Sequence, residues 1–504
     1  MAGSAELRRR YEDLDRSNGQ SLELYASYLE GMTFRDVLEL DIHPSSGREH
    51  DYGRPSYKGG MGTLLEERYF GYAANSDDRP DFAAAGIELK ATCYDVKTDG
   101  DASAGERLVL TMIPLDHPIE VEYDGSHLQA KSQRILLVYY ERDKSVDRLD
   151  QHIRYVRLFS PPDDDLKIIR DDYAKIVSYV TSGRADELSE SLTTYLGAAT
   201  KGSTAERSWV TQYYPRCDEM GVEYHTKAKK RAFAFKRQYM DYVLHEQVMG
   251  TQSAAERILT QGLEDETFDE HVLGLVAPHI GKTDFELCEE FDVPYTALGT
   301  NSNAQWSTLA FRMLGIKGNH AEEFVKAGIS VRAVRIEGDG RVKESLSFAP
   351  FEFCELAAEE WDDSEFRRYL DETRFFFVAF AKDADTYRLR GARFWGMPGD
   401  LIEGEARRCW EEARRVVREG VELTVRTGRD GRLRVGNNLP KQSQNRVAHV
   451  RPHARRAYYV LGDGTVIGDD PRDGSVLPDG RVMTRQSFWF NSSFVRDVVS
   501  GRDA

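Results

Sequence analysis

The sequence predicts a mixed α/β protein in which one helix-and-sheet domain occurs twice. The chain has 504 residues, which exceeds the usual size of one hydrophobic core. Helical and strand-like hydrophobic patterns follow one another in the first half, and the same order returns in the second half. We therefore expect two domains, residues 1–250 and 275–504, joined by a polar, acidic linker at residues 251–274.

The first half begins with helices and continues with strands. Apolar residues at helical spacing predict helices in residues 20–42 and 62–74. Alternating and β-branched patterns predict strands in residues 80–92, 107–115 and 134–140. A longer helix should follow from Asp163–Asp165, whose carboxylates favour a helix N-terminus as capping oxygens and as negative charge. Its apolar stripe should pack on the sheet.

The second half repeats short segments of the first half in the same order, and the spacing within Asp81–Lys90 and its echo is identical. The pairs are Thr33–Asp36 with Thr283–Glu286, Gly62–Leu65 with Ser307–Ala310, Asp81–Lys90 with Glu323–Arg332, and the strands that begin at Arg134 and Arg374. A repeated order of this kind predicts two copies of one domain.

Composition gives mixed evidence about partners. The net charge of −17 is weak evidence against nucleic acid, because phosphate contacts need lysine and arginine presented locally. A run without an acidic residue nevertheless holds Lys227, Lys229, Lys230, Arg231, Lys236 and Arg237. This run predicts a basic DNA-binding face, and an ordinary solvated face is the alternative. The aromatic residues that lie between these basic residues are more typical of a hydrophobic core than of a surface on which bases stack.

The remaining composition indicates an intracellular protein. The 5 cysteines are scattered singly, which fits neither a disulfide framework nor a zinc site. The N-terminus has no apolar signal segment, and no stretch of about twenty apolar residues could span a membrane. We therefore expect reduced thiols and a cytoplasmic location.

A candidate site for metal-dependent chemistry lies in Asp81–Lys90. Strand alternation sends Glu88 and Lys90 to one face, and Asp81 can return on a neighbouring strand to form a metal pair with Glu88. Phosphodiester hydrolysis needs such converging acidic oxygens, because a bound divalent metal activates water and shields charge. Lys90 would orient the water and stabilise developing charge. A Glu and a Lys two positions apart are also common on solvated strands, and Glu66 fits a solvated helix position.

These motifs resemble the MutH family of mismatch-repair nicking enzymes and its GATC-cutting restriction-enzyme relatives. The matching segments are Lys58–Gly59, Leu64–Glu66, Asp81–Ala84, Gly86–Lys90 and Ser126–His127 with Lys131. The resemblance covers residues 20–245 directly and implies a PD-(D/E)xK restriction-endonuclease-like fold. It also implies Mg²⁺ as cofactor, Glu66, Asp81 and Glu88 as metal ligands, Lys90 as catalytic lysine and Lys131 as an accessory group.

The second copy should bind DNA without cutting it. At the echoing positions Asp81 becomes Glu323, Glu88 becomes Ser330 and Lys90 becomes Arg332, so a ligand carboxylate is lost. Arginine also cannot exchange protons at neutral pH. The second half still carries basic residues in a segment similar to the family's base-reading loop, and the candidates there are Arg446, Arg451 and His453. A scaffold that only buries surface is the alternative.

In the first half, the equivalent reading loop should surround Thr200–Gly202. Lys201 within it and Lys58 are further DNA-binding candidates. For Lys58 and for Lys131, an ordinary surface lysine is the alternative. The loop differs in length from the family pattern, so its placement rests on the local sequence alone.

The sequence as a whole predicts a type II restriction endonuclease that hydrolyses double-stranded DNA at a short site, which the resemblance suggests is GATC. A second DNA copy should bind the C-terminal domain as an effector. A cognate DNA methyltransferase belongs to such a system without forming a stable complex. Two alternatives stay open, namely a repair-type nickase that answers to protein partners and a DNA-binding protein that does not cleave.

Overall fold

The computed structural model describes residues 4–40, 42–43, 51–57, 59–73, 79–97, 100–201, 208–251, 254–260, 262–263, 265–295, 303–342, 346–428, 431 and 433–502. The chain forms two compact units that are not continuous in sequence. The first unit comprises Met1–Asp186, Thr193–Phe268 and His320–Gly328, and the second comprises Glu187–Leu192, Asp269–Asn319 and Ile329–Ala504. No helix in these described ranges is long and apolar enough to cross a membrane. The predicted domain limits at residues 250 and 275 stay a prediction.

Helices and strands alternate along the chain, which confirms the predicted mixed α/β class. The helices up to residue 250 are α1 Ser4–Glu12, α2 Gly19–Ser27, α3 Phe34–Glu39, α4 Gly60–Leu64, α5 His127–Ser132, α6 Asp163–Thr181 and α7 Arg237–Tyr242. The strands are β1 Glu88–Val96, β2 Ala102–Ala104, β3 Leu108–Met112, β4 Ile135–Glu141, β5 Ile153–Phe159, β6 Leu196–Thr200, β7 Trp209–Thr211, β8 Arg216–Cys217, β9 Glu223–Tyr224, β10 Lys227–Lys229 and β11 Arg231–Phe235.

The later elements follow in the same mixed order. The helices are α8 Phe268–Val276, α9 Asp284–Glu290, α10 Asn303–Met313, α11 Glu322–Ala327, α12 Phe353–Ala358, α13 Glu365–Glu372, α14 Gly399–Leu401, α15 Arg407–Glu419 and α16 Ser492–Val499. The strands are β12 Ile329–Ile336, β13 Ser347–Phe351, β14 Arg374–Asp383, β15 Thr386–Gly396, β16 Thr424–Thr427, β17 Leu433–Gly436, β18 Ala448–Pro452, β19 Tyr459–Val460, β20 Val466–Ile467, β21 Gly474–Val476, β22 Val482–Thr484 and β23 Gln486–Phe490.

The central sheet of the first unit has the order β2-β1-β4-β5. β1 and β4 are parallel, with Glu88 opposite Ile135, whereas β4 and β5 are antiparallel. Residues 135–139 of β4 are all 0% exposed. A strand buried on both faces needs a continuous apolar run, and the sequence of β4 supplies one. Because β1 lies directly beside β4, the site residues at the start of β1 are fixed to a strand whose first five residues are fully buried.

Three predicted elements differ from the structure. The strand predicted from residue 80 begins only at Glu88, because residues 81–86 form tight turns that bring Phe82 opposite Ile87. The helix predicted at residues 62–74 is a short α-helix followed by a π-helical turn at Leu65–Tyr69. Asp163–Asp165 occupy the first turn of α6, and Pro162 takes the capping position.

Helix α6 packs on a second antiparallel sheet of the first unit, which has the order β3-β11-β6. The ring of Tyr173 on α6 lies 5.3 Å from that of Phe233 on β11. The other buried apolar residues of the helix include Ile168, Ile169, Ile176, Val177 and Val180. The apolar stripe therefore packs on a sheet as predicted, but this sheet contains only β3 of the three strands that the sequence predicted for it.

The second unit contains a three-stranded sheet in the order β12-β14-β15. β12 and β14 are parallel, with Ser330 opposite Phe375, and β14 and β15 are antiparallel. This is the order found for β1, β4 and β5. A large aromatic cluster that includes Phe375, Trp395 and Phe490 forms the core of this unit.

The segment before each of these sheets also has the same backbone bonds. In the first unit Gly31 donates to the carbonyl of Ile153 (2.8 Å). In the second, Gly281 donates to the carbonyl of Leu389 (2.9 Å). Both glycines have positive φ, +88° and +90°. A capping box formed by Thr33 with Asp36, and by Thr283 with Glu286, follows in each case. The sequence echo at these positions therefore corresponds to equivalent local structure.

The echo of Asp81–Ala85 differs from this pattern. Residues 322–327 form helix α11, which belongs to the first unit, whereas residues 81–86 form turns. The carboxylate of Glu323 accepts the backbone N–H groups of Ile258 and Leu259, both at 2.9 Å. Glu323 is therefore a structural acid that holds a neighbouring chain segment.

A buried ion pair between α6 and α11 provides a test of how these helices pack within the first unit. Lys326 and Asp165 are joined at 3.0 Å, and each side chain is 4% exposed. Replacing Lys326 with Met leaves a buried carboxylate without its main partner, so we expect the first unit to lose about 3–5 kcal/mol of stability. The urea dependence of amide hydrogen exchange in β4 measures the change.

The control is Arg170→Met, a substitution on α6, the helix that also carries Asp165. Arg170 pairs with Asp124 at the surface, where the two side chains are 46% and 65% exposed. This variant should cost less than about 1 kcal/mol. If both variants lost the same amount of stability, the buried Lys326–Asp165 pair would contribute no more to stability than an exposed ion pair.

Candidate active site

Glu88 is the centre of a charged cluster at the start of β1. It is 4% exposed, and both oxygens of its carboxylate have partners. Oε1 accepts a hydrogen bond from Lys90 Nζ at 2.9 Å, and Oε2 accepts one from Lys131 Nζ at 2.9 Å. Oε2 also lies 3.3 Å from the backbone nitrogen of Asp81. A buried carboxylate needs such compensation, and two ammonium groups supply it here.

Lys131 reaches this cluster from helix α5. It is 8% exposed, and its Nζ also donates to the carbonyl of Arg79 at 2.7 Å. Lys131 is therefore not a surface lysine. Its ammonium joins the chain just before Asp81 to the acid that begins β1.

Asp81 is held by the turns that precede β1. Its Oδ2 accepts the backbone N–H of Leu89 at 2.8 Å. Gly86 closes the turn with φ of +64°, a left-handed conformation that favours glycine. Burial and the nearby charge of Glu88 raise the pKa of Asp81 to about 6, and the Leu89 hydrogen bond and the two lysines oppose this rise.

Glu66 lies in the π-helical turn after α4. Burial, followed by the charge of Asp81, raises the pKa of its carboxyl group to about 7, and Lys90 opposes the rise. The alternative of a solvated helix position does not fit this environment. Glu66, Asp81 and Glu88 therefore act on one another electrostatically, as carboxylates that share a desolvated site do.

The donor chemistry of this site fits a divalent cation. As the side chains lie, the described residues contain no group of three or more His, Cys, Asp or Glu that could hold a metal ion. The raised pKa values of Glu66 and Asp81 nevertheless show that the lysines do not fully compensate the acids. Carboxylate oxygens are the ligands that hard divalent cations prefer, and added positive charge would lower both pKa values.

Sequence reasoning missed Tyr72, which follows the π-helical turn. Its hydroxyl is buried and has no hydrogen-bond partner within the described ranges. The backbone N–H of Tyr72 donates to the carbonyl of Glu66 at 3.0 Å, and its ring lies 5.7 Å from that of Phe82. An isolated tyrosine carries no sequence signal for this placement, because the turn that brings it to the acids is irregular.

The DNA-binding candidates of the first unit differ in how exposed their side chains are. Lys227 and Lys230 are exposed, and Lys201 and Arg237 are partly exposed. Lys58 lies outside the described residues. The buried candidates are Lys229, Arg231 and Lys236, which are 8%, 3% and 1% exposed.

The buried group corrects the prediction of a continuous basic face. Arg231 donates to the carbonyl of Ala198 at 2.6 Å, and Lys236 donates to the carbonyl of Thr193. Strand alternation and the turn into α7 direct these side chains into the unit, so they stabilise the fold and do not face a duplex.

The second unit presents part of its predicted basic segment at the surface. Arg446 and Arg451 are exposed, and the guanidinium of Arg451 lies 4.4 Å from the ring centroid of Trp489. His453 is half-buried, and its Nδ1 lies 2.8 Å from Ser487 Oγ. Arg446 and Arg451 are therefore better placed than His453 to contact a ligand.

Comparisons with known proteins show which family this chain resembles. Residues 70–172 match the family model described as DNA mismatch repair enzyme MutH. The chain is 32% identical over 460 residues to the type II restriction enzyme Sau3AI of Staphylococcus aureus, covering 86% of this chain and 91% of that protein. It is also 28% identical over 180 residues to the DNA mismatch repair protein MutH of Haemophilus ducreyi, covering 35% of this chain and 74% of that protein.

The raised pKa values predict that protons and a divalent cation compete for this site. We expect Mn²⁺ affinity to rise with pH between 5 and 7.5, because Asp81 (pKa about 6) and Glu66 (pKa about 7) must lose protons before they bind a cation. Each released proton contributes up to about tenfold per pH unit. Electron paramagnetic resonance of free Mn²⁺ measures the affinity.

Glu66→Gln tests whether Glu66 causes the pH dependence of Mn²⁺ affinity between pH 6 and 7.5. This variant should bind Mn²⁺ more weakly and with a smaller pH dependence between 6 and 7.5. An affinity that does not change between pH 5 and 8 in the unaltered protein would contradict the prediction.

Proposed function

The chain belongs to the MutH-related family of type II restriction enzymes, and from this membership we propose that it cuts both strands of DNA at GATC with Mg²⁺ as cofactor. It is a site-specific DNA endonuclease. The observation that carries the chemical proposal is the buried Glu88, held by Lys90 and Lys131 beside Asp81. These residues supply both the acids and the ammonium groups that phosphodiester hydrolysis needs.

In this proposal Asp81, Glu88 and Glu66 hold the cation. When bound, Mg²⁺ supplies Lewis-acid activation of water and shields the charge of the phosphate. Lys90 Nζ donates hydrogen bonds to the attacking water and to the phosphoryl oxygen on which charge develops. Lys131 Nζ, fixed by the carbonyl of Arg79, keeps a second positive charge next to Glu88. The burial of the cluster strengthens these interactions, because little water screens them.

Coverage favours a restriction enzyme over a repair nickase. The similarity to Sau3AI spans 86% of the chain, whereas the similarity to the H. ducreyi MutH spans 35%. A single-domain nickase would leave the second unit without a role. We therefore propose cleavage of both strands, with protection of host DNA by a cognate methyltransferase.

We further propose that residues 1–250 and 275–504 are duplicated domains and that the second binds a second DNA copy without cutting it. The matching backbone bonds around Gly31 and Gly281 support the duplication. Ser330 and Arg332 stand where the first unit has Glu88 and Lys90, so a comparable acidic site is missing at these positions. The exposed Arg446 and Arg451 can contact phosphates or guanine edges.

Cleavage of unmethylated plasmid tests the catalytic proposal. With Mg²⁺ the protein should produce double-strand ends at GATC, and with EDTA it should leave the DNA intact. Glu88→Gln and Lys90→Met should each lower the single-turnover rate at least about a hundredfold, because each removes a charge that acts on the reacting phosphate. Binding of the duplex in Ca²⁺, measured by fluorescence anisotropy, should change little.

Lys97→Met is the matched control. Lys97 lies just after β1, its side chain is 51% exposed, and it pairs with Asp101. This variant should cut at the wild-type rate. Nicks without double-strand breaks would favour the repair-type alternative, and tight binding without any cleavage would favour the non-cleaving protein.

A plasmid with two sites tests the role of the second unit. We expect faster cleavage of a two-site plasmid than of a one-site plasmid, and the combined Arg446→Gln and Arg451→Gln variant should lose this difference. The control Arg472→Gln removes one positive charge, from an exposed ion pair with Asp470. This variant should still cut the two-site plasmid faster than the one-site plasmid. Stimulation that survives in the double variant would count against DNA binding at these arginines.

A further inference from the structure

A buried hydroxyl beside the acidic cluster has no assigned role. Within the described ranges the Tyr72 hydroxyl has no hydrogen-bond partner, although its oxygen is buried. Buried polar atoms without partners are uncommon, because they lose water and gain nothing in return. Such an atom next to a reaction site indicates a partner that joins when the site is in use.

The surroundings of Tyr72 bring it to the acids of the site. Its backbone N–H donates to the backbone carbonyl of Glu66 at 3.0 Å, so the chain after the π-helical turn folds back on Glu66, which carries one of the acids. Its ring meets that of Phe82, the neighbour of Asp81, edge to face at 5.7 Å and 80°. Asp81, Glu66 and Glu88 are the strongest charges that act on the hydroxyl.

The hydroxyl is a hydrogen-bond donor in this environment. A phenol has an ordinary pKa of about 10 and is protonated at neutral pH, so the buried Tyr72 hydroxyl has a hydrogen to donate. Asp81 accepts one known hydrogen bond, from Leu89 to Oδ2. A carboxylate that binds a cation is oriented by further donors, and a neutral phenol can act as one without adding charge.

A purely structural role would not need the hydroxyl. Phe70 and Phe82, which pack edge to face at 5.2 Å, show that the same apolar pocket accepts rings without a polar atom. A phenylalanine at position 72 would fill the same space without burying a polar group. The retained hydroxyl therefore points to a function in the site.

We propose that Tyr72 is a positioning residue of the nuclease site, whose hydroxyl donates a hydrogen bond to the Asp81 carboxylate when that carboxylate holds the divalent cation. The inference rests on the proposed function. Tyr72 touches neither the water nor the phosphate in this proposal, and it acts by fixing the orientation of Asp81. Its loss should therefore weaken cation binding and turnover while leaving DNA binding intact.

Tyr72→Phe tests this role by removing the hydroxyl alone. Without a divalent cation, the variant should have an unchanged or higher Tm, because it removes a buried group that has no partner there. Its Mn²⁺ affinity, measured by electron paramagnetic resonance, should fall about tenfold. The kcat for plasmid cleavage should fall by a similar factor, and the KM for DNA should stay within about twofold of wild type.

Tyr52→Phe is the matched control. The Tyr52 hydroxyl donates to Glu67 Oε2 at 2.6 Å, so this variant removes the same group from the carboxylate next to Glu66. It should keep the wild-type Mn²⁺ affinity and kcat. Equal losses in both variants would overturn the proposal.

Two other results would also overturn it. Wild-type Mn²⁺ affinity and kcat in Tyr72→Phe would remove the positioning role, and a lower Tm with weakened Mn²⁺ binding would make the hydroxyl a structural group. The wild-type reaction separates these results from a failure of the proposed function. If the unaltered protein cuts no duplex, the catalytic proposal itself fails.

Discussion

Compensation of the buried carboxylate of Glu88 is the constraint on which the site depends. A negative charge at 4% exposure on a central sheet is costly unless neighbouring groups stabilise it. Lys90 and Lys131 do so from β1 and from α5, and the chain before Asp81 is fixed through the carbonyl of Arg79. The same contacts that make burial tolerable therefore also bring together the groups to which the proposed function assigns the reaction.

The acids around Glu88 are less completely compensated, and in the proposed function this difference favours the binding of a cation. Burial, followed by the charge of Asp81, raises the pKa of Glu66 to about 7. Burial, followed by the charge of Glu88, raises the pKa of Asp81 to about 6, although Lys131 and Lys90 act in the opposite direction. In the proposed function, a divalent cation offsets the negative charge of these carboxylates, and protons compete with it for them.

In the second unit, the strand pairing of the first unit occurs without the charged residues of its site. β12, β14 and β15 pair as β1, β4 and β5 do, although Ser330 and Arg332 replace an acid and a lysine. Strand pairing depends on backbone bonds and apolar packing, which the aromatic residues of β14 provide. The charged residues at the start of the first strand contribute little to that pairing. This strand arrangement therefore does not require them.

The sequence by itself determined the fold class and the residues of the acidic site. Apolar runs and alternation are local signals, so β4, α6 and the face shared by Glu88 and Lys90 could be predicted from them. The family motif supplied Glu66 and Lys131, for which local patterns favoured solvated positions. Asp81 was placed on a strand, whereas tight turns around Gly86 hold it.

Only the tertiary structure decided which charges are buried and what they contact. Lys236 and Arg231 form part of a basic run in sequence, yet their neighbours in space are backbone carbonyls inside the first unit. Tyr72 gave no signal, because its position beside the acids depends on a π-helical turn and on the ring of Phe82. Burial and charge compensation arise from contacts between distant segments, and residue spacing along one segment does not encode them.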